Sequence, residues 1–477
     1  AGGVALAAFA FSTSVRADDG ALMDMVKNMQ SQMNEMAKTI RWQGEKIQDL
    51  ESHQGGAAVS GAPETPASPV MMTESNFNSM LDQATGGASK WIKDLKFSGD
   101  LRLRYEGFHY NSGNPSETDD RNRFRYRLRY GFEKKMNDQM NIGFFMASGE
   151  QSAGANNDPN STNTTFDNNF NFKPIFIERA WATYKPKFLS NIGPLKTSEI
   201  TAGKMANPFE KGSSDIIWDR DIRPEGVYEK FDFMPIDSED FGLDAYATTG
   251  QFILDEDATV GGDANLFAYQ VGLQPSFRVM DTPVKWLHAF SLYNFNNYAR
   301  MSNFLTGGGA SLARTNPNVD SLSTELDAGE FNVIEYYSEI GFPTIHSLPF
   351  TGYLDLAGNV SDAADGFHGA TIEHSGESDF AWALGLKLGS VKKKHDWELG
   401  YQYKVIGVNA VPAAFNDSDF GDGFTGRRGS VLKLGYGITD SLTFGTSMYF
   451  VDNLNAGTAG ILDQQQRRLQ VDLAWKF

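Results

Sequence analysis

The sequence predicts a transmembrane β-barrel of about sixteen antiparallel strands behind an N-terminal coiled-coil helix. Three observations predict it. From about Leu95 to the last residue, apolar and polar side chains alternate with period two. The connections alternate as well, between short ones such as 134–139 and 280–283 and long polar ones such as 149–170, 296–328 and 408–423. That asymmetry suits a barrel with tight turns at one rim and long loops at the other. Finally, the chain ends on an apolar strand, with Leu469, Val471, Leu473, Trp475 and Phe477 on one face. A free C-terminus in a soluble protein rarely ends that way.

Composition narrows the alternatives. The chain has 477 residues, 40% hydrophobic and 13% aromatic, with a mean hydropathy of −0.39. A membrane helix needs a run of roughly 20 apolar residues, and the longest run here, Val4 to Phe11, is far shorter. Followed by Val15-Arg16-Ala17, it reads as a residual secretory signal over residues 1–17, cleaved before Asp18. The absence of cysteine removes disulfides, thiol catalysis and zinc–thiolate sites. A formal charge of −18 argues against nucleic acid as a partner.

Residues 18–53 read as a periplasmic coiled coil. Leu22, Val26, Met29, Met33, Met36, Ile40, Ile47 and Leu50 follow a 4-3-4-3 spacing, with Gln43 as the one polar seam position. A stripe that narrow suits a helical partner, so self-association is expected. Residues 54–92 form a linker with Gly55-Gly56, Pro63, Pro66 and Pro69, plus a short helix at 74–84 ended by Gly86-Gly87.

Residues 93–477 are assigned to the barrel. In the first stretch Leu95, Phe97, Leu101, Leu103 and Tyr105 oppose Lys96, Ser98, Asp100, Arg102, Arg104 and Glu106. In the second, Phe124, Tyr126, Leu128, Tyr130 and Phe132 alternate with Arg123, Arg125, Arg127, Arg129 and Glu133. Strand centres fall near 102, 127, 144, 180, 203, 228, 246, 270, 289, 337, 354, 384, 401, 433, 446 and 471. An even number leaves both termini at the turn rim, and about sixteen strands leave an aqueous lumen. Aromatics cluster at strand ends, as an interfacial girdle requires.

Several segments carry a family resemblance: Phe97-Ser-Gly-Asp-Leu-Arg-Leu-Arg-Tyr105, Asp120-Arg-Asn-Arg123, Gly203-Lys-Met-Ala-Asn-Pro-Phe209, Trp218-Asp-Arg-Asp221 and Pro224-Glu-Gly226. Together they cover about a quarter of the chain. They resemble outer-membrane porins whose members begin with a coiled coil, and the C-terminal strand resembles the assembly signal, Trp475 and Phe477, of bacterial outer-membrane proteins. The resemblance implies a homotrimeric channel and names no solute. A looser likeness is to phosphate-selective porins, which combine a coiled coil with lumenal arginines.

Taken literally, the alternation points Arg102, Arg104, Arg123, Arg125, Arg127, Arg129, Lys433 and Arg468 into the lumen, nearly all on one wall. Asp244, Glu335, Glu339, Asp355 and Glu398 point inward from the other side. Arginines on adjacent strands repel unless water, anions or facing acids compensate. A transverse field between such walls would favour dipolar or anionic solutes. The segment 207–223, with Trp218, Asp219, Arg220 and Asp221, either folds inward as a constriction or stays outside as a surface loop.

Catalysis and metal binding have little support. The seven histidines are scattered, and no nucleophile–base arrangement emerges. Asp417-Ser-Asp419-Phe-Gly-Asp422-Gly423 lacks the ligands of a calcium loop and reads as a solvated acidic loop. The expectation is a channel in outer-membrane lipid that passes small hydrophilic solutes without a cofactor. The alternatives are an anion- or phosphate-selective channel, or a structural tether whose helix touches peptidoglycan.

Overall fold

The computed structural model describes residues 95–111, 120–150, 159–256, 263–279, 282–298, 331–345, 348–361, 379–454 and 465–477. The expected signal, coiled coil, linker and short helix lie outside the described residues. All sixteen expected strand centres fall inside strands. In chain order these are β1 Leu95–Asn111, β2 Arg121–Lys135, β3 Met140–Ser148, β4 Ile175–Tyr184, β5 Leu195–Lys204, β6 Glu225–Asp237, β7 Phe241–Asp255 and β8 Ala264–Val279. They continue with β9 Thr282–Asn296, β10 Phe331–Ile345, β11 Leu348–Asn359, β12 Phe380–Gly389, β13 Trp397–Ile406, β14 Arg427–Gly437, β15 Leu442–Asn453 and β16 Gln465–Lys476.

Each strand pairs antiparallel with its neighbours in sequence, and β16 closes on β1 from Asp100↔Lys476 to Asn111↔Gln465. A two-residue strand, Thr164–Thr165, pairs with Arg125 and Tyr126 and extends the wall where β3 has ended. Closure leaves no sheet edge, which is what lets a sheet stand in lipid.

The local chemistry explains the short rim. Between β2 and β3, Met136 N–H donates to the Met140 carbonyl at 2.8 Å, and Gln139 N–H donates to Asn137 Oδ1 at 2.8 Å. Between β14 and β15, Thr439 Oγ1 accepts Leu442 N–H at 2.9 Å. Side-chain oxygens of Asn and Thr satisfy backbone donors that a tight turn would otherwise strand.

The outer face is apolar over most of the circumference. Phe97, Trp286, Trp397, Tyr436 and Phe477 are exposed near the turn rim, and Phe124, Phe380 and Phe450 toward the loop rim. The C-terminal strand is tied in at its last residue: Phe477 N–H donates to the Gly99 carbonyl at 3.1 Å, and Gly99 N–H donates back at 2.9 Å. The Phe477 ring lies where a Cβ on Gly99 would sit, 2.6 Å from it, so glycine is needed there for the ring to lie flat on β1.

Two long connections turn inward. Residues 205–224 enter between β5 and β6, and residues 407–426 enter between β13 and β14. Their apolar side chains, among them Met205, Phe209, Ile216, Ile217, Trp218, Ala410, Val411, Phe415 and Phe420, form one buried cluster with Phe252, Leu266, Tyr293 and Phe295 of the wall. The second of these is a correction. The sequence reads 408–423 as an external, solvated acidic loop, but its backbone is held against the first segment, with Asp219 N–H donating to the Phe415 carbonyl at 2.7 Å. An apolar run can leave water only by packing, and the interior supplies the partner.

Candidate functional site

The basic wall forms because β16, β1 and β2 are adjacent and their alternation is unbroken. Arg102↔Arg127 and Arg104↔Arg125 are directly opposed across the β1–β2 ladder. Like charges so placed need counter-charges, and the same three strands provide them. Arg104 makes a two-pronged bond to Asp472, at 2.7 and 2.8 Å. Arg127 and Arg129 both reach Asp100, each at 2.7 Å. Glu106, fully buried, accepts from Arg123, from Arg468 at 2.8 Å and from Gln470 at 3.0 Å. Arg102 bonds a neutral partner, Asn163 Oδ1, at 2.6 Å.

This amends the expected segregation of charge. The arginines do share one wall, but Asp100, Glu106 and Asp472 stand among them, so the wall is an ion-pair lattice rather than a bare positive surface. The signal was available, since all three acids have the parity of the arginines. Glu178 and Arg179 both contribute from β4, Arg129 lying 3.6 Å from Glu178. Two consecutive residues can do so only because the β3–β4 register shifts between Phe145 and Met146. No sequence pattern announces that bulge.

The inward segments complete the lattice. Asp419 lies 2.6 Å from Arg468 and 3.2 Å from Arg104. Asp221 lies 3.7 Å from Arg129 and 4.0 Å from Arg127. Asp215 accepts from Gln402 and from the fully buried Lys404 at 3.1 Å, and Lys433 approaches it at 4.0 Å. Lys404 also donates to Asp417 at 2.7 Å. Burial opposes the charge of Asp419, but Arg468 and Arg104 outweigh it and hold its carboxyl well below the usual range. Asp215 is held low against its burial by Lys404 and Lys433, and Asp221 against its burial by Arg127 and Arg129. Asp219 goes the other way, raised by burial and by its neighbours Asp221 and Asp417.

Between its two readings, the constriction segment folds inward. Trp218 packs on Tyr293 at 5.3 Å, on Phe415 at 5.9 Å and on Phe295 at 6.0 Å between ring centres. Asp219 is covered, and its Oδ2 accepts Ser418 N–H at 2.8 Å, while Arg220 stays exposed. Gly212 rests on the wall, where a Cβ would come within 2.5 Å of Ala289 and Tyr246. A third piece of chain, 159–163, ties the two inward segments together, with Asn160 Nδ2 donating to the Ala414 carbonyl at 2.9 Å and Thr162 N–H to Asp221 at 3.2 Å.

The acidic residues of the far side divide into two kinds. Glu335 and Asp355 are fully buried. Asp355 accepts Ser214 N–H at 2.8 Å and so anchors the inward segment, while Glu335 accepts the hydroxyl of Tyr293, the β9 side chain on which Trp218 packs, at 2.9 Å. Asp244, Glu339 and Glu398 keep access to water, Glu339 accepting from Tyr337 at 2.7 Å.

Of the histidines among the described residues, His109 pairs with Asp120, His288 with Tyr336 and His395 with Tyr436. Among the described residues no cluster of His, Asp and Glu is arranged to hold a metal ion. A cavity of about 810 Å³ lies beside the inward segments, lined by Ser161, Thr162, Glu178, Trp218, Asp221, Arg223 and Phe415. The cavity sets charged side chains, Glu178, Asp221 and Arg223, beside the aromatic Trp218 and Phe415.

Comparison with known proteins bears on this geometry. Residues 115–321 and 328–477 match a family model described as "Putative porin". No protein of curated function matches the chain. Among solved structures it is similar to OprB of Pseudomonas putida, at 10% identity and a TM-score of 0.46, over 83% of this chain and 97% of that one. It is also similar to OmpF of Salmonella typhi, solved with daunomycin, at 9% identity and 0.44, over 80% and 97%. The outer-membrane protein OprD of Pseudomonas aeruginosa is similar at 11% identity and 0.34, over 80% and 94%.

Proposed function

The chain belongs to the porin family, and from that premise we propose a passive outer-membrane channel for small hydrophilic solutes and ions, narrowed by two inward segments and assembled as a homotrimer. One observation carries the reading. The segment 205–224 lies between the two charged walls, with Asp221 against Arg127 and Arg129 on one side and Ser214 against Asp355 on the other. A solute in transit would pass a zone where fixed charges are close and mobile ions few, so fields there are weakly screened within the roughly 8–10 Å Debye length.

A strongly anion-selective channel would need a continuous ladder of free arginines. Asp100, Glu106 and Asp472 interrupt that ladder, which favours weak selectivity. The proposal extends to residues 18–53 as a periplasmic coiled coil whose seam joins copies of the chain, with peptidoglycan contact as a further role of that helix.

Trp218 offers the test. Truncating a buried tryptophan costs about 3–5 kcal/mol, here charged to the packing that seats the inward segment. Single-channel recording of Trp218→Ala should show a larger and noisier conductance than the parent. An unchanged conductance would mean that 205–224 does not set the narrow zone.

A further inference from the structure

Lys404, on β13, has no exposed surface. Taking an ammonium out of water is costly, and only charged partners and hydrogen bonds offset the cost. Here the partners come from two distant stretches of chain. Nζ donates to Asp215 Oδ1 at 3.1 Å, in the inward segment 205–224, and to Asp417 Oδ2 at 2.7 Å, in the inward segment 407–426. The Phe420 ring, also from the second segment, is centred 4.4 Å from the same nitrogen. Two carboxylates and an aromatic face thus meet the three ammonium donors.

Other cations of the wall hold one inward segment or the other. Arg127 and Arg129 reach Asp221 of the first, and Arg104 and Arg468 reach Asp419 of the second. Lys433 approaches Asp215 at 4.0 Å but is 43% exposed. Among the described residues Lys404 is the cation paired with acids of both segments. The segments are also bound to each other close by, through Asp219 N–H on the Phe415 carbonyl at 2.7 Å and through Trp218 on Phe415.

We infer that Lys404 positions both inward segments at once, so that they stand in the lumen as a single insert pinned to β13. The lysine is buried and meets no solute, so it acts through the segments it holds. Without the ammonium, Asp215 and Asp417 become two like charges in a site shielded from water, and both segments lose the same tie together. The inference rests on the narrowing role proposed above and adds the residue that holds its two halves.

The chain has no cysteine, so a single introduced thiol reports without background. Ile216→Cys marks the first segment and Ala414→Cys the second, both at positions with no exposed surface. In the full-length protein each thiol should react slowly with a water-soluble maleimide. Adding Lys404→Met should raise the rate at both positions roughly tenfold or more, as loss of a buried ion-pair partner favours local opening. The gel shift between heated and unheated protein should stay that of an intact barrel, and single-channel conductance should rise. Faster labelling at one position only, or at neither, overturns the joint role. Faster labelling at both with conductance unchanged keeps Lys404 as the pin and overturns the narrowing role. Should Lys404→Met fail to insert, Asp417→Asn breaks the contact from the segment side and is judged by the same two rates.

Discussion

Glu106, fully buried, is held among four guanidiniums: Arg123, Arg468 at 2.8 Å, Arg104 at 3.4 Å and Arg125 at 3.6 Å. Buried charges persist only when paired and hydrogen-bonded, and the basic wall meets that condition by sharing acids among neighbours. Asp419 is the acid most open to a functional test, because it comes from an inward segment and no strand depends on it. Asp419→Asn should leave Arg104 and Arg468 under-compensated and move the permeability ratio toward anions, read as a shift in reversal potential across a salt gradient. No shift would mean that this corner lies off the conducting path. The pH dependence follows from the same pairs. Asp419 and Asp221 have depressed carboxyls, so their stabilising contribution is present above the ordinary carboxylate pKa of about 3.9 and is lost only as pH falls through the depressed values. Asp219, raised by burial and its acidic neighbours, takes up its proton earlier, which relieves repulsion against Asp221 and Asp417. Parity made the facing of these side chains legible in the sequence. Their partners were not, since Arg104 and Asp419 are 315 positions apart and meet only after both closure and infolding.

The strands were the most legible elements, because a wall with lipid on one side and water on the other enforces period two over every residue that spans it. Even the short β3 shows it, with Phe144 and Met146 outward and Phe145 and Ala147 inward. The inward segments were less legible for the complementary reason: with neither lipid nor a regular ladder to impose a pattern, 207–223 allowed both an inward and an outward reading and 408–423 read as external. Their composition still held a hint, in Ile216-Ile217-Trp218 and in Ala413-Ala414-Phe415, apolar runs that a solvated loop would have no use for. At this scale the facing of β2 and the role of the last strand can be checked together. Leu128→Arg should cost about 2–4 kcal/mol at the bilayer midplane and depress insertion. Phe477→Ser should lower outer-membrane yield with translation unchanged, since it removes the ring on Gly99 and the aromatic end of the closing strand. Normal insertion of both variants would count against the outward assignment of these faces.

For the molecule as a whole, composition and alternation together identify the barrel, and every strand among the described residues lies at or after Leu95. Closure is made by β1 and β16 alone, through a ladder that runs from Asp100 to Asn111 on one side. The expected coiled coil over residues 18–53, with its seam from Leu22 to Leu50, lies outside the described residues, and a deletion tests whether the wall needs it. A helix with a narrow apolar stripe gains its stability from a partner helix and cannot bury that stripe alone. Deleting residues 18–53 should accordingly leave the heat-resistant β-structure intact, measured by circular dichroism and by the gel shift between heated and unheated samples, while the assembled mass becomes less resistant to dilution in detergent. The same variant separates channel from tether. If conductance per barrel is unchanged while co-sedimentation with peptidoglycan is lost, the helix serves attachment and the barrel serves transport. If the deleted protein cannot form a barrel at all, the helix belongs to the folding unit of the wall and the division at the linker is wrong.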